Sequence, residues 1–393
     1  MKILFVHERF GALAGAESNV ILTARALANR GHEVAILHGP GTGKAEEAWR
    51  EVFPRRFELN GQARATATAA FRDFDPEVIY VHKMADLGVI EAIVHSGRGT
   101  ARMVHDHDIY CMRSYKYNYF TRKVCLRAAG PRCVLTCGAF VARNTEPGFP
   151  LRWVSYTAKK REIALNKDFG RMVVVSRYMR EELLRNGFDA GRIEIHPPAP
   201  LLGETEAYET PRDRNLILYA GQIIRGKGVD LLLRALARIR TPFECVILGD
   251  GSHRRYCERL RRRLKLEDRV QFLGFLPQDQ LKKFYRESRV FALSSVWPEP
   301  FATVGVEVLR YGLPVVAFDV GGISDWLIDG ANGYLVPAFD CAAFADRLER
   351  LLIDKSLARQ MGRRGLELVN EQFDFAEYVQ SLETMFANLL KRR

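Results

Sequence analysis

No apolar run in this chain of 393 residues approaches the ~18 residues that a membrane-crossing helix needs, which argues against a helical span. Zinc-finger, helix-turn-helix and RNP-type patterns are absent, so the net charge of +12 does not by itself point to nucleic acid. Neither a GxGxxG fingerprint nor a Walker A loop is present, and no internal repeat or low-complexity tract interrupts the chain. The seven cysteines lack the paired CxxC spacing of common zinc ribbons. The opening Met1-Lys2-Ile3-Leu4-Phe5-Val6-His7-Glu8 is too short and too soon charged for a signal peptide. It reads as a buried strand, and the expectation is a cytoplasmic protein whose cysteines are thiols or metal ligands.

What is there is ordinary globular composition, 47% hydrophobic and 27% charged, in a chain long enough for two domains. Short apolar runs alternate with helical-period segments throughout. KILFVHE, EVAILHG, EVIYVHK, ARMVHDHD, RMVVVSR and RIEIHPP are strand candidates in the first half. NLILYAGQ, FECVILGDG, RVQFLGF, RVFALSS, LPVVAFDV and GYLVP follow in the second. Continuous apolar runs of this length suit parallel strands covered on both faces. Between the first two lies a helix, Ala16–Arg30, with Val20, Ile21, Ala24, Leu27 and Ala28 on one face and Gly31 as its stop. The fold class this predicts is α/β, with two Rossmann-like doubly wound domains facing across a cleft. Pro197-Pro198-Ala199-Pro200 and the acidic LLGETEAYETPRDRN after it form the linker candidate. The domains are expected at 1–198 and 212–374, with an amphipathic helix at about 375–393 packing back on the first.

The most informative stretch is Trp297-Pro298-Glu299-Pro300-Phe301-Ala302-Thr303-Val304-Gly305-Val306-Glu307. Two prolines hold Glu299 on a loop, and a short helix from about Thr303 carries Glu307 one turn in, stopping at Gly312. The first helical residues Thr303, Val304 and Gly305 offer N–H groups without intrahelical partners, which suit phosphate. Two acceptors beside an anion site match a sugar nucleotide; a solvated loop Glu plus a surface helical Glu is the plainer alternative.

Three glycine-containing turns follow strands: Gly11–Glu17, Gly221–Gly228 and Asp319–Gly322. The second contributes Arg225 and Lys227, two cations able to neutralise a diphosphate. His105-Asp106 closes the strand ARMVHD, at the edge where open α/β sheets place ligands. Cys111, Cys125, Cys133 and Cys137 could close a structural zinc site, remain free buried thiols or form an opportunistic disulfide. Arg113–Lys123 interleaves aromatics with cations, as at a membrane interface, a stacked sugar or single-stranded nucleic acid; tyrosine packing is the alternative.

Taken together, YAGQIIRGKGVDLLLRAL, ILGDGSHRRYCERL, VQFLGFLPQDQL and WPEPFATVGVEVLRYGLPVVAFDVGGISDWLIDGANGYLV resemble the retaining glycosyltransferases of family 4, with the GT-B fold. Glu299 and Glu307 stand as the E-x7-E motif of that family. The first half is similar through AGAE at Ala14–Glu17, His105-Asp106 and VVVSRYMREELLRNGF. The resemblance implies that Glu299 holds donor-sugar hydroxyls and Glu307 the ribose hydroxyls. By the same resemblance Arg225 and Lys227 clamp the diphosphate, Gly15 gives backbone room, His105 meets the sugar near its 6-position, and the main chain near Phe275 helps read the base. Two features depart from the family: Gly221-Gln222 stands where Gly-Arg is usual, and Pro197-Pro198-Ala199-Pro200 replaces Asn-Gly-Val-Asp.

The activity so implied is transfer of a hexosyl group from a nucleotide diphosphate sugar, with retention and with no cofactor or catalytic metal required. The expected acceptor is a glycan or lipid-linked saccharide in surface polysaccharide assembly, reached at the inner membrane face. Nucleic acid is not expected as a partner. A sugar-nucleotide epimerase, active on donor alone, and a non-catalytic nucleotide-sugar binder are the competing readings.

Overall fold

The computed structural model describes residues 1–11, 15–118, 120–143, 151–199 and 214–391. The expected linker from Pro200 lies outside them up to Arg214, as do Ala12, Leu13 and Ala14 of the first glycine turn. Two compact units are present: Met1–Lys116, Leu126–Ala199 and Phe375–Arg393 form one, and Tyr117–Cys125 with Pro200–Asp374 form the other. Each is built on a parallel sheet with helical crossovers, so the α/β doubly wound class is what the chain adopts.

In the first unit the strands are β1 (Lys2–His7), β2 (Glu33–His38), β3 (Arg55–Glu58), β4 (Val78–Lys83) and β5 (Gly99–Val104). A two-stranded antiparallel hairpin, β6 (Val141–Arg143) and β7 (Leu151–Trp153), precedes β8 (Arg171–Val174) and β9 (Ile193–Ile195). The large sheet runs β3-β2-β1-β4-β5-β8-β9, so strand order reverses between β1 and β4. Ile3, Leu4, Phe5 and Val6 are all fully buried, which is why β1 reads as an unbroken apolar run rather than an alternating one. β3, with the sequence RRFE, alternates half-buried and exposed side chains at the sheet edge and carries too little apolar signal to be read in advance.

The helix Gly15–Asn29 buries Val20, Ile21, Ala24 and Leu27 against this sheet. The helix Phe375–Lys391 belongs to the same unit. It buries Val379, Leu382, Met385, Phe386 and Leu389, and the Phe386 ring meets Tyr80 edge-on at 5.2 Å. Its exposed flank is tied by Glu383, which accepts from Arg30 at 2.6 Å and pairs with His32 at 2.7 Å.

The second unit holds β10 (Leu216–Ala220), β11 (Glu244–Leu248), β12 (Val270–Gly274), β13 (Val290–Leu293), β14 (Val315–Phe318) and β15 (Gly333–Val336). Their order, β12-β11-β10-β13-β14-β15, reverses between β10 and β13, and the crevice at such a switch point is where ligands bind in open α/β sheets. The short helix Thr303–Leu309 leads into a turn at Gly312, against which the helix Lys355–Gln372 packs closely. A Cβ added at Gly362 would lie 1.9 Å from the Gly312 carbonyl oxygen. Backbone cannot give way as a flexible side chain can, so Gly362→Ala is expected to destabilise the protein by about 1–3 kcal/mol in denaturant unfolding. An unchanged unfolding midpoint would contradict that packing.

Candidate active site

The turn after β10 is shaped by what it must touch. Gly228 has a φ of +66°, and a Cβ there would lie 2.0 Å from the Ser294 carbonyl oxygen, so only glycine fits. Ahead of it, Arg225–Lys227 forms one 3-10 turn leading into the helix Val229–Leu236. Val296 and Trp297 donate their N–H groups to the Gly226 carbonyl at 2.8 and 3.1 Å, and the Ser294 hydroxyl donates to the Lys227 carbonyl at 3.0 Å. The turn after β10 is thus fastened to the segment after β13, across the switch point.

This fastening brings Lys227 to Glu299. Lys227 Nζ donates to Glu299 Oε1 at 2.6 Å and lies over the Trp297 ring at 5.4 Å. Glu299 is only 3% exposed, while Lys227 is half-buried. The Glu299 carbonyl accepts from Gly322 N–H at 2.7 Å, so the third glycine turn supports the same loop. Glu299 is therefore neither a solvated loop residue nor alone. A buried carboxylate without a cation is strongly unfavourable, and Lys227 supplies one while remaining open to solvent.

Thr303 is exposed, Val304 half-buried and Gly305 buried, the last seated on the fully buried Trp326 ring. Trp326 Nε1 donates to the Phe301 carbonyl at 2.6 Å, which fixes the entry to the helix. Glu307 is half-buried; burial raises its pKa above the usual carboxylate value, and a hydrogen bond from the Tyr285 hydroxyl partly opposes that. Phe275 follows β12 and is 84% exposed, available for stacking.

In the first unit, Gly15 opens its helix. His105 stands one residue past β5, and its Nε2 lies 2.9 Å from His82 Nδ1, with the two rings stacked at 5.2 Å. Burial, with the charge of His7 beside it, pushes the His105 pKa down to about 3, so the imidazole is neutral at physiological pH. Beside it, Lys83 Nζ reaches Asp106 at 3.4 Å, Asp108 at 3.8 Å and Glu8 at 3.9 Å. Burial and the neighbouring Asp106 push the Asp108 carboxyl above its ordinary range. This histidine and carboxylate group crowns the carboxyl ends of β1, β4 and β5. Its members His82 and Lys83 were legible in the same way as His105, as polar residues ending an apolar strand.

Cys111, Cys125, Cys133 and Cys137 are half-buried free thiols, and among the described residues no group of three or more His, Cys, Asp or Glu is placed to hold a metal. Cys125 belongs to the second unit and the other three to the first. The cations of Arg113–Lys123 are also not a free basic face. Arg113 donates to the carbonyls of Cys137 and Gly138 at 2.8 and 2.7 Å, and Lys116, 3% exposed, pairs with the buried Glu182 at 2.9 Å. Arg122 pairs with Asp230, and Lys123 alone of the four is exposed. No helix among the described residues is long and apolar enough to cross a membrane.

Residues 13–199 match the family model "Glycosyltransferase Family 4" and residues 204–367 match "Glycosyl transferases group 1". The chain is 27% identical over 380 residues to the lipopolysaccharide core biosynthesis glycosyltransferase LpsE of Rhizobium meliloti, an alignment covering 95% of both proteins. It is 36% identical over 144 residues to the uncharacterised glycosyltransferase MJ1607 of Methanocaldococcus jannaschii, where the match spans 36% of this chain and 37% of that relative. Anabaena Alr3699/HepE, solved in complex with UDP, superposes with a TM-score of 0.76 at 19% identity, over 99% of this chain and all of that one. The chain belongs to the family 4 glycosyltransferases, built on the two-domain α/β scaffold of the GT-B type.

Proposed function

We propose that this glycosyltransferase moves a hexosyl group from a nucleoside diphosphate sugar to a glycan or lipid-linked saccharide, with retention at the anomeric carbon. The observation that carries this reading is the Lys227–Glu299 pair at 2.6 Å, set at the switch point of the second sheet with Arg225 in the same turn. It gives two cations for a diphosphate and a buried acceptor for sugar hydroxyls within a few residues. Similarity to HepE, solved with UDP, supports the donor class, and similarity to LpsE across nearly its whole length supports a surface-polysaccharide acceptor.

In this reading the bond from the sugar C1 to the diphosphate oxygen breaks, its electron pair stays on the phosphate, and Lys227 and Arg225 stabilise the charge that develops there. The acceptor oxygen bonds to C1 on the face the diphosphate leaves, and its proton passes to the departing phosphate oxygen. Glu299 holds sugar hydroxyls rather than attacking C1, with Lys227 on its Oε1. Glu307 takes the ribose hydroxyls from the adjacent helix. A neutral imidazole at His105 can exchange hydrogen bonds with a sugar hydroxyl without adding charge. No divalent ion is needed where two side-chain cations face the diphosphate.

Three outcomes are expected. Lys227→Ala should lower kcat/KM by about a hundredfold or more, the usual scale for removing one charge stabiliser, in an assay with a panel of nucleotide sugars. Wild-type turnover in that variant would sink the assignment. Activity should persist in excess EDTA, and abolition by chelation with recovery on adding Mg²⁺ or Mn²⁺ would contradict the role given to the two cations.

The third outcome concerns pH. Burial raises the Glu307 pKa from 4.5, whereas ribose hydroxyls donate best to the ionised carboxylate, so nucleotide binding should expel a proton. Affinity should therefore rise with pH between the carboxyl's bound-state value and its raised free-state value, and level off once the latter is passed. The same burial makes this group's contribution to fold stability largest below its unfolded pKa and lost as pH rises through the folded one. Calorimetric titration of Glu307→Gln should show the pH dependence of binding flattened; a slope equal to that of the wild type would remove Glu307 from the ribose.

A further inference from the structure

The segment Tyr117–Cys125 lies in the sequence between β5 and β8, yet it belongs to the second unit. It folds as a small loop closed by the bridge Tyr117–Val124 and by Asn118 N–H donating to the Lys123 carbonyl at 2.9 Å. Three contacts join it to the turn that carries Arg225 and Lys227. Arg122 grips Asp230 with both fork nitrogens, Nη1 to Oδ1 and Nη2 to Oδ2, each at 2.9 Å. The same Nη1 also donates to the Arg225 carbonyl at 3.2 Å, while the Arg225 guanidinium donates back to the Phe120 carbonyl at 3.1 Å. On the neighbouring residue, a Cβ at Gly226 would meet the Tyr117 hydroxyl at 3.2 Å, so the loop lies directly against the turn's backbone.

The chemistry of this grip is specific. Asp230 is 4% exposed and sits in the first turn of the helix Val229–Leu236; a carboxylate so placed needs both its oxygens satisfied. A planar fork meets both with parallel N–H groups and still reaches a carbonyl; an ammonium has three donors but no such fixed fork. Arg122 moreover takes a φ of +59°, a conformation uncommon for a residue with a side chain and held only where its surroundings over-determine it.

We infer that Arg122 is a positioning residue for donor binding: it fixes the Arg225-Gly226-Lys227 turn by spanning Asp230 and the Arg225 carbonyl, although it touches no substrate itself. This rests on the donor-site reading of Arg225 and Lys227. It makes the shape of the diphosphate-binding turn depend on a loop that the chain inserts more than a hundred residues upstream.

The test compares wild type, Arg122→Ala and Arg122→Lys in the full chain, by amide hydrogen exchange across residues 222–232 and by titration with UDP and with GDP. In Arg122→Ala the amides of the turn should exchange faster and nucleotide binding should weaken about tenfold, with donor KM rising in step and acceptor KM unmoved, because misplaced groups lose ground on every interaction they share. Arg122→Lys keeps the charge without the fork and should recover less than half of the lost affinity. Should Arg122→Ala fail to fold, Arg122→Lys carries the comparison. Unchanged exchange overturns the clamp. Faster exchange with wild-type nucleotide affinity overturns the positioning role, as does a fall in kcat at constant donor KM, the mark of a smaller folded fraction. A Lys227→Ala protein with full activity would instead sink the donor-site reading, and the exchange comparison would still decide whether Arg122 holds the turn.

Discussion

A carboxylate at 3% exposure is tolerable only with a cation against it, and much of the second unit can be understood from how it meets that requirement at Glu299. Lys227 has to arrive from another strand, so the turn after β10 must be held against the segment after β13. Gly228, with its positive φ and its closeness to the Ser294 carbonyl, allows that approach. The N–H groups of Val296 and Trp297, both on the Gly226 carbonyl, secure it. The Gly321-Gly322 turn then carries the Glu299 backbone from below. One ion pair thus draws three loops from neighbouring strands into a single constellation.

The two halves solve the same topological problem with different chemistry. Both sheets reverse their strand order at a switch point, and both place polar groups at the carboxyl ends of the strands there. In the second unit those groups are an ammonium, a guanidinium and glutamates, suited to a diphosphate and to hydroxyls. In the first they are His105, His82, His7, Lys83, Asp106 and Asp108, where burial keeps imidazoles neutral and raises the Asp108 carboxyl. An edge of neutral imidazoles with a lysine already paired to carboxylates differs from a cationic one in what it can hold.

Much of the scaffold was legible because parallel strands buried on both faces are uninterrupted apolar runs. All twelve such runs named from the sequence are strands, from KILFVHE to GYLVP. The three strands missed, β3, β6 and β7, are short, at an edge or in a hairpin, and lack the apolar continuity that double coverage produces. The four cysteines carry no comparable signal. Spacing along a chain bounds what can meet but does not require meeting, and the loop that carries Cys125 is committed to the second unit.

The sequence by itself determined the element order, the glycine turns after strands and the presence of Glu299, Glu307, Arg225 and Lys227 in an order characteristic of the family, because local propensity and periodicity need no tertiary information. Only the tertiary structure decided that Lys227 belongs to Glu299, that Tyr285 attends Glu307, and that Arg122 reaches Asp230 from a distant loop. Those pairings join residues 72, 22 and 108 positions apart, all three across separate elements of the fold. Their partners are chosen by burial, which no local stretch of sequence reports.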